Sequence, residues 1–245
     1  MSVGLIDLLG VGDRELVSFT GGGGKTTLLL GLGEELAGRG DEVVITTTTK
    51  LGLDQASEAV VCWSDAGAEV RSALQLSSPV FVLSDRDDHK VRGFGPGSVD
   101  RLFSEVPSCH ILVEADGSRG RPLKAPAAHE PVVPSATTLA VVVVGIDAIG
   151  RPLSEAAHRS VRAEALTGRR ANDLVDPETA AAVISHPAGG LKGIPDHARV
   201  VVAVTKVAAT SEKAAARLSE LLMPNARIWR VVTVPFLGRP VPADG

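Results

Sequence analysis

Four consecutive glycines, Gly21, Gly22, Gly23 and Gly24, run into Lys25, Thr26 and Thr27, and these seven residues have the types and spacing to hold phosphate. Glycines let backbone N–H groups converge on phosphate oxygens with no Cβ in the way, and a helix that opens at the lysine adds a partial positive charge at the same spot. Lys25 would reach the β and γ phosphates of a bound ATP or GTP, and the Thr26 hydroxyl would complete the shell of a Mg²⁺ ion. The usual pattern has a further glycine five residues before Gly24, and Phe19 stands there, so the match is GKT with a glycine-rich approach.

A second set of groups follows the apolar run CHILV at residues 109–113. Strand side chains alternate, so Glu114 and Asp116 leave such a strand on the same face at the same end. This is the layout of an acidic metal-side motif in a nucleoside triphosphatase, with Asp116 holding Mg²⁺ through water beside Thr26 and Glu114 orienting the attacking water. Residues 117–134 carry four prolines and two glycines without helical periodicity, which predicts a long ordered loop. In it, Arg119, Arg121 and Lys124 are candidates for the γ-phosphate or an anionic substrate, and His129 and Glu130 for proton relay. Arg119, Arg121 and Lys124 also read as a solvated basic turn. Thr47, Thr48, Thr49 and Lys50 end another strand, where ligand sites of parallel sheets lie, although strand propensity alone accounts for threonines there. Thr205 and Lys206 close a third strand at the place where GTPases carry NKxD. Ala208 stands where the guanine-reading Asp would be, so weak guanine preference is expected.

The elements that must position these groups are legible as apolar periods. A helix is expected over residues 2–10, a buried strand over 16–19, and the first crossover helix over 25–37, ended by Gly38 and Gly40. Strands are expected over 42–49, 79–83, 109–113, 139–145, 200–204 and 227–234. Helices are expected over 66–76, from an N-cap near Ser98, over 156–166, over 177–184 with Asp176 as cap and Pro177 in the first turn, and over 212–222. The 156–166 pattern puts His158, Arg159 and Arg162 on one helical face. The alternation predicts an α/β, three-layer αβα fold of the P-loop NTPase kind, its mainly parallel sheet flanked by helices. One domain spans residues 1–245, with a helical insertion allowed at 150–195 and a proline-rich tail.

Composition narrows the partners. The 245 residues are 44% hydrophobic with a formal net charge of -4, enough for a sizeable core and without the excess of basic charge that nucleic acid would call for. Cys62 and Cys109 form no CxxC and suit reduced thiols in a cytoplasmic protein. The apolar run at 139–144 is far short of a membrane span.

FTGGGGKTTLL, VVITTTTKL, LVEADGSRGRPLKAPAAHEPVVP, VVGIDAIGRPL and the downstream HPAGGLKG together resemble the YqeC family, over about residues 2–206. That resemblance implies a SIMIBI-type P-loop NTPase acting as an accessory protein of selenium-dependent molybdenum hydroxylases, with a molybdenum-cofactor enzyme or its maturation proteins as partner. The loop also looks like those of MinD and nitrogenase-iron-protein relatives, except that Thr20 replaces their extra lysine. Two functions stay open: an NTP-hydrolysing accessory protein, and a small-molecule kinase or nucleotidyltransferase using the same loop.

Overall fold

The computed structural model describes residues 3–52, 60–87 and 90–235; the proline-rich tail and residues 88–89 of the charged loop lie outside the described residues. In the first half come α1 (Leu5–Leu9), β1 (Leu16–Gly21), α2 (Lys25–Gly38), β2 (Glu42–Thr47), β3 (Lys50–Gly52), β4 (Val60–Cys62), α3 (Gly67–Leu74), β5 (Val80–Val82), β6 (Asp85–Arg86), β7 (Lys90–Arg92), α4 (Pro96–Glu105) and β8 (Cys109–Glu114). The second half holds β9 (Leu123–Lys124), β10 (Leu139–Gly145), α5 (Leu153–Ala156), β11 (Ala157–His158), α6 (Ser160–Thr167), α7 (Pro177–Ser185), β12 (Arg199–Val207), α8 (Glu212–Leu222) and β13 (Arg230–Pro235).

Eight strands make the central sheet in the order β13-β12-β10-β1-β8-β2-β5-β4. Every pairing in it is parallel, which buries both faces and explains the continuous apolar runs of β10 and β12. Alternation along the strands sends Val17, Phe19, Ile45, Leu112, Val141 and Val143 to one face, where Leu28, Leu29, Leu32 and Leu36 of α2 cover them. The opposite face is covered in two parts. Val44, Ile111 and Val113 pack with Val70 of α3 and Leu102 of α4, while Val142 and Val202 pack with Leu153, Val183, Ile184 and Leu218 from α5, α7 and α8. Helices therefore sandwich a parallel sheet, as the sequence pattern predicts. Gly33 lets α2 lie close: a Cβ there would sit 2.9 Å from Ile45 Cδ1.

Two local expectations are corrected. α4 begins at Pro96 with Gly95 as its cap, so Ser98 lies inside the first turn; proline at the first helical position is already set for helical φ. The helix expected over 156–166 is broken. Ala157 and His158 instead pair in parallel with Leu123 and Lys124, and Arg159 turns through a left-handed φ of 66° before α6 starts. Strand pairing here overrides the helical propensity of the segment, so His158, Arg159 and Arg162 do not share one helix face. Asp176 does cap α7, accepting from Thr179 N at 2.7 Å.

The thiols are free, and burial pushes the Cys109 thiol up to about 12, which leaves it inert. His110 is buried too. Its Nδ1 accepts from Glu15 N at 3.2 Å, while Nε2 makes no hydrogen bond among the described residues and lies 3.9 Å from Asp41 Oδ2. Burial lowers its pKa from 6.5, with Asp41 and Glu15 opposing and Arg39 and Arg14 assisting. Above pH 6.5 both folded and unfolded chains are neutral at this group; below it the unfolded chain takes up the proton first, so stability declines until the lower folded pKa is reached. Chemical denaturation of the wild type should therefore lose stability below pH 6.5 more steeply than His110→Gln, which cannot take up that proton; matching slopes would remove His110 as the cause.

Candidate functional site

The loop between β1 and α2 gets its shape from backbone packed against backbone. Gly21, Gly23 and Gly24 hold φ of 94°, 82° and 110°, all in the left-handed region. Gly22 N donates to Val143 O at 2.9 Å, and the end of β10 is tied in turn by Gly145 N to Pro122 O, also at 2.9 Å. A Cβ on Gly22 would strike Arg121 O, and one on Gly23 would lie 2.6 Å from Gly145 Cα. Gly24 faces open space apart from Thr205 Oγ1 at 3.9 Å. The Thr205 hydroxyl itself donates to Gly23 O and fastens the loop to β12. α2 then opens with no side-chain cap, so the N–H groups of its first turn are left for a ligand or water.

Charge gathers beside that uncapped turn. β8 lies next to β1, so its end delivers Glu114 and Asp116 to the loop. Asp116 is buried at 2% exposure and binds on three sides. It accepts from Gly21 N at 3.1 Å, and one oxygen lies 3.2 Å from Lys25 Nζ and the other 3.0 Å from Lys124 Nζ. Lys25 Nζ also donates to Gly21 O at 2.7 Å, and Lys124 Nζ to Gly117 O at 2.6 Å. Asp116 Oδ1 faces Lys25 without hydrogen-bond geometry and has no hydrogen-bond partner among the described residues. The sequence pairs Thr26 with Asp116; in the structure the Thr26 hydroxyl donates to Glu114 Oε2 at 2.7 Å. Burial raises the Glu114 pKa above its ordinary value, against the pull of Lys25 and of the Thr26 hydrogen bond.

A hydroxyl and a carboxylate in contact across the mouth of the loop suit Mg²⁺, because ligands of an octahedral ion with bonds of about 2.1 Å stand roughly 3 Å apart. Thr26 and Glu114 would offer such an ion two ligands, and the rest of its shell would have to come from outside these two side chains.

The other expected residues are distributed less evenly. Arg121 turns away, donating to the carbonyls of Ser154 and Glu155. Arg119 and His129 are exposed, while Glu130 is half-buried and paired with Lys124 at 3.3 Å. The hydroxyls of Thr46, Thr47 and Thr48 bond the carbonyls of Val82, Glu114 and Val132 at 2.7, 2.8 and 2.6 Å. Thr49 Oγ1 sits 3.2 Å from that of Thr47, and exposed Lys50 lies 3.7 Å from Asp87. Lys206 carries φ of 60° and pairs with Asp147 at 2.8 Å, beside a recess of about 60 Å³ lined by Gly24, Thr27, Leu28, Lys206, Val234 and Pro235. Asp147, Arg159 and Lys192 enter this neighbourhood from segments whose spacing to the loop carries no signal; only the tertiary fold brings them in.

The model of the family described as YqeC protein matches residues 17–161, which contain β1 from Val17 onward, the loop, the acidic strand end and β11. The uncharacterised protein YqeC of Escherichia coli strain K12 is 36% identical over 225 residues, covering 90% of this chain and 86% of that protein. The chain belongs to the YqeC family. In this YqeC-family chain the matched segment includes Lys25, Glu114, Asp116, Lys124 and Glu130, so the whole charged cluster lies inside it.

Since Gly23 and Gly24 share the left-handed φ and differ in what a Cβ would meet, Gly23→Ala should cost about 1–3 kcal/mol more stability than Gly24→Ala. Thermal or urea unfolding of the two variants measures this directly, and equal losses would mean that packing on Gly145 is not what the glycine provides.

Proposed function

We propose that this protein binds a nucleoside triphosphate with Mg²⁺ at residues 21–27 and hydrolyses it. The observation that carries the reading is Asp116 pinned between two buried lysines, Lys25 and Lys124, at the foot of a helix start that no side chain caps. Two ammonium groups and free N–H donors are what a polyphosphate needs. The internal carboxylate occupies them until it arrives. Bound phosphates would take Lys25, leaving Asp116 to hold Lys124 over the γ-phosphate. Thr26 and Glu114 would hold Mg²⁺, which neutralises charge on the phosphates. The recess beside Leu28 and Val234 is suited to the flat faces of a base, and Thr205 with Lys206 would border the nucleoside.

Membership of the YqeC family supports a further step, in which the hydrolysis serves maturation of selenium-dependent molybdenum hydroxylases. A molybdenum-cofactor enzyme or one of its maturation proteins would be the partner that reads the nucleotide state.

Isothermal calorimetry with Mg²⁺ and ATP or GTP tests the site. Lys25→Ala should weaken binding by the roughly 1.5–3 kcal/mol of a charge-assisted contact, about ten- to hundredfold; equal binding by variant and wild type would overturn the assignment. Ala208 leaves the base edge unread, so ATP and GTP should bind within about tenfold of each other, less than 1.4 kcal/mol apart. For Asp116→Asn, which removes the charge that orders both lysines, phosphate release should fall at least about a hundredfold while nucleotide affinity holds or rises. Normal turnover in that variant would make Asp116 a structural residue.

A further inference from the structure

On the side of Lys124 away from the loop, four donors crowd one carboxylate oxygen. Glu130 Oε2 accepts from Arg159 Nε at 3.1 Å and Nη2 at 2.8 Å, accepts from Ala127 N at 3.2 Å, and lies 3.3 Å from Lys124 Nζ. A carboxylate oxygen has two lone pairs, so donors converge here in excess of what one acceptor satisfies. The backbone that carries Glu130 is itself clamped. Lys192 Nζ donates to the carbonyls of Ala127, Ala128 and Glu130 and fixes the turn from behind.

More hydrogen-bond donors and basic groups lie around this turn than Glu130 pairs with. Arg119, His158 and Arg162 make no side-chain hydrogen bond or ion pair among the described residues, and Arg162 Nε is buried without a partner. His158 stands beside Lys124 in the strand register. Its pKa is lowered by burial and then by the charges of Arg159, Lys124 and Arg119 together. Burial and the charge of Arg162 lower that of Lys192. Burial pushes the Glu130 carboxyl upward, yet its hydrogen bond from Arg159 and the charge of Lys124 hold it at about 2. Gathering like charges costs free energy unless an anion offsets them.

We propose that Lys124, Arg159, Arg162, His158 and Arg119 form a second anion site, separate from the phosphate loop, that takes a small oxyanion or a phosphate ester, with the Glu130 carboxylate standing in the place of the ligand's oxygens. Lys124 borders both sites, because its ammonium group also reaches Asp116. The ligand's oxygens accept from the Arg159 fork and from Arg162, and Glu130 swings out or shares its donors. The placement needs no nucleotide and stands apart from the hydrolysis reading.

Calorimetric titration of inorganic phosphate, without nucleotide, tests it in the Lys25→Ala background, where the loop's own phosphate affinity is weakened. A phosphate site should persist there. Adding Glu130→Gln should tighten it about tenfold, because a competing charge leaves while the shape stays, and adding Arg162→Gln should weaken it about tenfold. A purely structural Glu130 predicts the reverse, lost stability and no gain in affinity. Should Glu130→Gln fail to fold, Arg162→Gln and exposed Arg119→Gln carry the test, since each removes a group with no structural bond. The same titration with glycerol phosphate separates the sources: binding of phosphate alone identifies a free oxyanion, and binding of both identifies an esterified one. Absence of phosphate binding in the Lys25→Ala and Lys25→Ala/Glu130→Gln proteins, or affinity indifferent to Arg162 and Arg119, overturns the proposal. Loss of nucleotide binding in the wild type would count against the phosphate loop and leave this site untouched.

Discussion

The contact on which the rest of the site depends is the one between Asp116 and its two lysines. A buried carboxylate is costly unless paired and hydrogen-bonded, and Asp116 meets that condition by collecting Lys25, Lys124 and the Gly21 N–H. Each partner arrives on a different element. Lys25 opens α2, Lys124 lies on β9, and Gly21 ends β1. One carboxylate thus holds the loop, α2 and the segment after β8 in register. The same pairing keeps two ammonium groups desolvated beside the loop, which under the proposed function would be electrostatic preorganisation built from ordinary ion pairs.

What the sequence made legible was local. The strand, glycine turn and helix from Leu16 to Gly38 follow from contiguous residue types, and the shared exit of Glu114 and Asp116 follows from strand alternation. α8 and β10 fall on their expected bounds because their apolar periods are uninterrupted. What stayed hidden depends on contacts between distant segments. The 156–166 stretch has helix-forming residues, and its break at Arg159 exists because Ala157 and His158 pair with Leu123 and Lys124. Arg121 and Lys124 look alike in sequence, three residues apart in one basic turn. Yet one is directed to the carbonyls of Ser154 and Glu155 and the other into the carboxylates. Thr26 and Glu114 meet because β1 and β8 are neighbours in the sheet, an adjacency that no spacing encodes.

The glycine run shows how one residue type answers two demands. The proposed phosphate binding would ask for bare backbone, and the approach of residues 121–123 and 145 to Gly22 and Gly23 asks for it too. The segment after Glu114 and Asp116 is therefore packed on the glycine loop, and a shift in either moves the other. Interiors at native packing density transmit such shifts instead of absorbing them.

The position of β1 carries a consequence for how the chain is made. It is the first strand in sequence but the fourth across the sheet, between β10 and β8. During synthesis at about 5–20 residues per second, it leaves the ribosome seconds before either neighbour exists. Leu16, Val17 and Phe19, each fully buried in the finished protein, must wait in solvent or against α2 until residues 109–145 emerge. Parallel pairing of this range is paid for by closing long loops. A nascent chain arrested early would display the glycine and lysine signature in full and have nothing with which to hold it in shape.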